Sequence, residues 1–145
     1  MRVVIDASVL IAAFKNNEPA HPASADFLEA TVAYPVTLCS PAILFVEIAG
    51  ACSRPTHNPD YAARVIREMR ALLEIELYPI DSDLASNAEA IAQNFFLRGA
   101  DALYIALARR MNAPLVTLDK EMLERAPPVI TCLSPADWLK NHAHT

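Results

Sequence analysis

Glycine and long polar tracts are scarce in this sequence, which has two glycines among its 145 residues. This composition does not favour disorder, so we expect an ordered protein. No stretch reaches the roughly 18 consecutive apolar residues of a membrane-spanning helix. The first residues lead straight into an apolar strand, without the basic region, apolar core and cleavage site of a secretory signal. We therefore predict neither a membrane anchor nor a signal peptide.

Paired cysteines and an excess of positive charge are also missing. Cys39, Cys52 and Cys132 are odd in number and widely spaced, so they match neither a disulfide framework nor a zinc motif. We expect reduced core residues and a cytoplasmic protein. The formal net charge of −5 argues against a protein that holds nucleic acid by bulk positive charge. It leaves open an enzyme whose acidic groups are neutralised locally by a metal ion.

Apolar residues are abundant and make up 54% of the chain, above the roughly 45–50% that is usual in soluble domains. At this length we predict one domain over residues 1–145, with an exposed apolar patch that pairs with another chain. Short apolar segments alternate with helical patterns, which predicts an α/β fold with parallel strands and helix layers on both faces of the sheet. The predicted strands are residues 2–6, 36–39, 75–80, 115–118 and 129–132.

Capping and turn residues predict where the helices begin and end. Ser40 at a cap and Pro41 at a first helical position predict a helix from residue 42, whose nearly all-apolar sequence indicates burial. Gly99 is predicted to follow the end of a helix in the left-handed conformation. Trp138 is predicted to dock a closing helical turn onto the rest of the domain by its apolar face. The predicted helices are residues 7–15, 21–33, 42–52, 61–74, 84–97, 101–111, 120–125 and 135–140.

Four acidic residues stand in apolar surroundings. Asp6 and Asp119 follow predicted strands, and ligands bind outside the carboxyl ends of strands in open parallel sheets. Each could instead cap the helix that follows it, and Asp101 could simply favour the dipole of a first helical turn. Glu47 has no ionic partner three or four residues away, and a buried unpaired carboxylate is costly. It must pair with a distant Arg or Lys, or else bind a metal, for which clustered carboxylates form a natural site.

Four segments carry these acids: Val4-Ile-Asp-Ala-Ser-Val-Leu10, Phe45-Val-Glu-Ile-Ala49, Gly99-Ala-Asp-Ala-Leu-Tyr-Ile-Ala-Leu-Ala108 and Leu115-Val-Thr-Leu-Asp119. In order and rough spacing they resemble the motifs of PIN-domain ribonucleases of the VapC toxin type. The resemblance covers essentially the whole chain. It implies a PIN-like three-layer α/β/α fold with a central, mainly parallel sheet of four to five strands.

The same resemblance implies the chemistry of the site. It places the family's acidic quartet on Asp6, Glu47, Asp101 and Asp119. These residues would bind Mg²⁺ or Mn²⁺ for the hydrolysis of RNA phosphodiester bonds. Ser8 and Thr117 fall on hydroxyl positions that would hold the carboxylates in place. A homodimer and a small antitoxin protein are the implied partners.

Three cations are next in sequence to the elements that carry the acids. Lys15, Arg98 and Lys120 could contact RNA phosphates, and the alternative is that they are solvated surface charges. The closing His142-Ala-His144 predicts a frayed tail rather than a metal site.

Two rival functions need different chemistry. One is a non-catalytic RNA- or protein-binding module on the same fold, which the intact acidic quartet disfavours. The other is a phosphotransfer receiver or an aspartyl-phosphate hydrolase, which needs a fixed Lys after a later strand. Lys120 follows Asp119 directly, at a predicted helix start, so the second alternative fits poorly.

Overall fold

A computed structural model describes residues 1–142 of the chain. Within that range the strands are β1 (Arg2–Ile5), β2 (Thr37–Pro41), β3 (Ile75–Tyr78), β4 (Leu115–Val116) and β5 (Cys132–Leu133). The helices are α1 (Ala7–Ala13), α2 (His21–Ala33), α3 (Leu44–Thr56), α4 (Pro59–Leu72), α5 (Ser82–Phe95), α6 (Gly99–Met111), α7 (Lys120–Arg125) and α8 (Pro135–His142). The prediction of a frayed tail was wrong for His142, which ends α8 with its ring stacked on Trp138 at 4.1 Å, and His144 lies outside the described residues.

The five strands form one sheet in the order β3-β2-β1-β4-β5, and every pairing is parallel. β1 is central because it pairs on both sides, with Val4 opposite Cys39 on one neighbour and Leu115 on the other. Val3, Val4 and Ile5 have no exposed surface, as expected for a strand covered on both faces. The prediction of an α/β fold with a mainly parallel sheet of four to five strands is confirmed.

Two helices matter most for the position of the candidate site. α6 packs against β1, β2 and β4, and α3 packs against α1 and α4.

α8 closes the structure by packing on α2, where the buried Trp138 ring meets Phe27 edge to face at 5.1 Å. The prediction that Trp138 docks this closing helix is therefore confirmed.

The predicted start of the third helix at residue 42 was wrong. Ser40 and Pro41 belong to β2, where they pair with Leu77 and Tyr78 of β3, and α3 begins at Leu44. The pairing of β2 with β1 ends at Cys39 of β2. Pro41 lies beyond this point, so its missing N–H costs no hydrogen bond to β1. At its other end α3 runs through Pro55 to Thr56, beyond the predicted end at residue 52.

Two further expectations about helices were wrong. α3 is not buried all round, because Val46 is 68% exposed. Gly99 does not end α5. Phe96 ends it in the left-handed conformation with φ 57°, and Gly99 begins α6. The earlier turn allows the side chain of Leu97 to be buried while its N–H donates to the carbonyl of Ala92, so burial outweighs the usual preference for glycine.

The remaining general expectations concern cysteines and membranes. Cys39 and Cys52 are buried and free, and Cys132 is free and half-buried. Within residues 1–142, no helix combines the length and the apolar character needed to cross a membrane.

Candidate metal centre

The four acids lie at the carboxyl edge of the sheet. Asp6 follows the last residue of β1, and Asp119 comes three residues after the last residue of β4. Asp101 and Glu47 are in the first turns of α6 and α3. The N-terminal end of a helix carries partial positive charge, which stabilises a nearby carboxylate. Parallel strands and helix starts thus bring acids together from positions 6 to 119 of the chain.

Asp6 is the most buried of the four acids, with 5% of its surface exposed. Its Oδ1 accepts a hydrogen bond from Ser8 Oγ at 2.6 Å, and its Oδ2 accepts one from Thr117 Oγ1 at 2.7 Å. Asp6 stands at the cap position of α1, yet its side chain makes no capping hydrogen bond. The Asp6 side chain therefore does not cap α1, in contrast to the alternative interpretation.

The environment of Asp6 raises its pKa to about 6. Burial is the main cause, because water no longer solvates the charged form, and the hydrogen bonds from Ser8 and Thr117 oppose it. The neighbouring negative charges of Asp101 and Glu47 raise the pKa further.

Ser8 and Thr117 connect Asp6 to the segment that follows β4 and carries Asp119. Besides donating to Asp6, Ser8 Oγ accepts the N–H of Leu118 at 3.1 Å, and Thr117 Oγ1 accepts the N–H of Asp119 at 3.0 Å. Each hydroxyl is thus fixed by a backbone group and holds one oxygen of Asp6. Their supporting role in metal binding stays a prediction.

Asp119 has two functions at once, one for each oxygen. Its Oδ1 accepts the N–H of Met122 at 3.0 Å and so caps α7, as the alternative interpretation expected. Its Oδ2 accepts a 2.7 Å hydrogen bond from Arg98 Nη2. Capping therefore does not remove Asp119 from the site, since it occupies only one of the two oxygens.

Asp101 is buried and is held by the same arginine. Arg98 Nε donates to Asp101 Oδ2 at 2.9 Å. Burial raises the pKa of Asp101, the Arg98 contact opposes that rise, and the charges of Asp119 and Glu47 add to it. Arg98, predicted as an RNA contact, thus bridges two members of the acidic cluster.

Glu47 is half-buried and pairs with a tyrosine rather than with a cation. Tyr104 Oη donates to Glu47 Oε1 at 2.5 Å, and the ion pairs found within residues 1–142 do not involve Glu47. Burial and the nearby Glu47 charge raise the pKa of Tyr104, so the phenol stays protonated and remains a donor. Tyr104 is buried in the core, and the sequence did not predict its contact with Glu47.

Three of the acids present in this region can share a metal ion. Asp101, Asp119 and Glu121 each offer a carboxylate oxygen, and these oxygens lie within 4.8 Å of one another. Glu121 was not predicted, because an exposed acid in a polar helix resembles ordinary surface charge. Its one signal in the sequence is its place two residues after Asp119, in the first turn of α7.

The other predicted cations occupy different surroundings. Lys120 is exposed at the first position of α7, beside the acidic centre. Lys15 is half-buried after α1 and lies near Cys52, where its charge opposes the effect of burial on the pKa of the thiol. The structure thus brings Arg98 into contact with the acids, leaves Lys120 next to them, and places Lys15 beside a cysteine.

Taken together, the fold and site define an α/β protein with an acidic centre at the carboxyl edge of a parallel sheet. The family model of the PIN domain matches residues 3–127. The chain belongs to the PIN domain family.

Individual relatives agree with this membership. The chain is 24% identical to ribonuclease VapC3 of Pyrobaculum aerophilum over 135 residues, which cover 90% of this chain and 99% of the relative. Its fold is similar to the crystal structure of PAE2754 from Pyrobaculum aerophilum, with a TM-score of 0.71, 18% identity and coverage of 100% of this chain and 91% of that one. It is also similar to VapBC2 from Rickettsia felis bound to a promoter DNA fragment, with a TM-score of 0.70, 16% identity and coverage of 92% and 98%.

Proposed function

We propose that this protein is a metal-dependent endoribonuclease that hydrolyses RNA phosphodiester bonds, and that it is the toxin of a toxin–antitoxin pair. The observation that carries the proposal is the convergence of Asp6, Glu47, Asp101 and Asp119 at one edge of the sheet. Membership of the PIN domain family and the similarity to a relative named ribonuclease VapC3 support it.

We propose Mg²⁺ or Mn²⁺ as the ion, because the donors are all carboxylate oxygens, which hard divalent cations prefer. Asp101 and Asp119 would hold it directly, with Glu121, Glu47 or Asp6 completing the ligand set. The Arg98 guanidinium supports this assignment, since it already places positive charge against the Oδ2 atoms of both aspartates. When bound, the ion supplies positive charge that polarises the phosphodiester and activates water.

The protein's own contribution is to fix the carboxylates before the substrate arrives. Ser8 and Thr117 hold both oxygens of Asp6, so the carboxylate cannot rotate away. Tyr104 similarly holds Glu47, whose free oxygen would ligate the ion or orient the attacking water. A preorganised site does not have to rearrange during the reaction, which lowers the barrier. Lys120 and Arg98 stand beside the acids and would bind phosphates on either side of the scissile bond, and Lys15 would bind a more distant one.

We propose a homodimer and a small antitoxin as protein partners, in the cytoplasm. The similarity to Rickettsia felis VapBC2 supports the antitoxin, and the exposed apolar surface of the chain supports protein partners. Large apolar side chains exposed over more than two-thirds of their surface are Val32, Val46, Leu72 and Phe96. Size-exclusion chromatography with light scattering tests the dimer, and a mass equal to one chain at all concentrations would contradict it.

The decisive test of the activity is cleavage of labelled RNA with Mg²⁺ or Mn²⁺ and with EDTA. We expect wild type to cleave only with metal, and Asp101→Asn to lose at least about 100-fold in rate, as when a group that stabilises the transition state is removed. Asp60→Asn is the matched control, because Asp60 is exposed in the first turn of α4. Cleavage that survives EDTA and Asp101→Asn contradicts the proposal. Metal-independent RNA binding without cleavage would favour the binding-module alternative.

A further inference from the structure

Arg98 contacts the carboxylates of two candidate metal ligands directly. Its Nε donates to Asp101 Oδ2 at 2.9 Å and its Nη2 to Asp119 Oδ2 at 2.7 Å. The two contacts use different nitrogens of the same guanidinium. The residue stands immediately before α6, at the cap position, so its backbone is fixed by the start of that helix.

The oxygens that Arg98 uses belong to carboxylates that can share an ion. Asp101, Asp119 and Glu121 form that set, and Arg98 occupies two of its three members. The third, Glu121, pairs with Arg125 at 3.3 Å. A divalent cation and a guanidinium on the same two carboxylates would repel each other across a few ångströms. Binding of the ion would therefore weaken the Arg98 contacts.

The ion pairs of Arg98 are exposed, so they can be broken at little cost in stability. The Arg98 side chain is 68% exposed, and ion pairs at such positions contribute little to folding stability. Arginine also has a planar fork of donors that suits phosphate as well as carboxylate. A side chain released from the two aspartates would remain at the mouth of the acidic centre, anchored at the start of α6. There it is placed to meet the phosphate backbone of a bound RNA.

We propose that Arg98 exchanges partners: it neutralises Asp101 and Asp119 until a divalent cation displaces it, and it then binds a phosphate of the RNA substrate. The inference rests on the proposed ribonuclease function. It makes Arg98 a built-in competitor for the metal and a determinant of substrate binding. Arg98 therefore has opposite effects on the two affinities, which a merely structural surface arginine would not have.

The first measurement is Mn²⁺ affinity by isothermal titration calorimetry without RNA. We expect Arg98→Gln to bind Mn²⁺ about tenfold more tightly than wild type, a coupling typical of two ligands that compete through one site. Arg98→Lys should fall between them, because it keeps the charge but loses the two-pronged contact. Arg110→Gln is the control, since Arg110 pairs with Asp81 away from the acidic centre, and its affinity should match wild type.

The second measurement is the affinity of the Mn²⁺-loaded protein for a phosphorothioate RNA, whose backbone resists hydrolysis. Arg98→Gln should weaken RNA binding about tenfold and lower its dependence on salt, because one phosphate contact is lost. Unfolding curves check that each variant is folded. Unchanged Mn²⁺ affinity in Arg98→Gln, or unchanged RNA affinity, overturns the proposal.

Failure of the inference can be told apart from failure of the proposed function. If wild type binds Mn²⁺, Asp101→Asn does not, and Arg98→Gln equals wild type, then the metal site stands and the exchange by Arg98 is wrong. If wild type and Arg98→Gln both fail to bind Mn²⁺, the metal site itself is wrong, and the inference is overturned with it.

Discussion

The substitution Asp6→Asn should stabilise the protein at neutral pH when metal is removed. Asp6 is almost fully buried, and its surroundings raise its pKa from the ordinary 3.8 to about 6. At about 1.4 kcal/mol per pH unit, keeping this carboxylate charged in the folded state costs about 3 kcal/mol. Asparagine has nearly the same shape and carries no charge, so it removes this cost.

The sign follows from proton linkage. Because the pKa of Asp6 is higher in the folded state, folding is favoured when the carboxyl is protonated. This advantage is complete below about pH 4 and is lost as the pH rises through about 6. Urea unfolding in EDTA, followed across this range, should therefore show little difference between wild type and Asp6→Asn at low pH. By about pH 7 the variant should be more stable, by up to about 3 kcal/mol.

Asp60→Asn is the control for the general effect of removing a negative charge, because Asp60 is exposed. Its stability relative to wild type should change little with pH over the same range. The reasoning is refuted if the difference between wild type and Asp6→Asn does not depend on pH. It is also refuted if the variant is the weaker protein at neutral pH, since Asp6 would then be a structural residue whose charge the fold needs.

Three further substitutions follow from the contacts around the acids and at a helix end. Thr117→Val keeps the shape of a fully buried side chain but removes a hydrogen-bond donor to Asp6. Cleavage should therefore fall about 10- to 100-fold, and the free energy of unfolding should fall by about 1–3 kcal/mol. Tyr104→Phe frees Glu47, so cleavage should fall about tenfold, whereas urea unfolding should change by no more than about 1.5 kcal/mol. Phe96→Gly should raise the melting temperature, with a gain of about 1 kcal/mol, because glycine adopts the left-handed conformation of an exposed position without strain. Unchanged cleavage in either of the first two variants, or a lower melting temperature in the third, would contradict these assignments.

The sequence predicts the positions of the acids well because each follows from local patterns. Asp6 and Asp119 come just after short apolar runs, and parallel strands have their carboxyl ends at one edge of the sheet. Glu47 and Asp101 stand out because charge is rare in their apolar helices. The same patterns yielded the α/β class and the number of strands. These signals require no knowledge of how distant segments pack.

What the sequence did not reveal depends on contacts between distant segments. The pairing of Tyr104 with Glu47 joins residues 57 positions apart, and the Arg98–Asp119 pair joins residues 21 apart. Phe96 adopts a conformation that local preferences give to Gly99, because burial of Leu97 decides where α5 ends. Local propensity is a weak guide wherever tertiary packing opposes it.

The central claim is that Asp101 and Asp119 hold the ion on which RNA hydrolysis depends. The most direct measurement is anomalous diffraction from crystals of the protein soaked with Mn²⁺. The account predicts a strong peak between these two carboxylates, at roughly 2.0–2.3 Å from their oxygens, as is usual for hard divalent cations in proteins. The absence of a peak there in well-ordered crystals at saturating Mn²⁺, or a peak only at acids elsewhere on the surface, would contradict it.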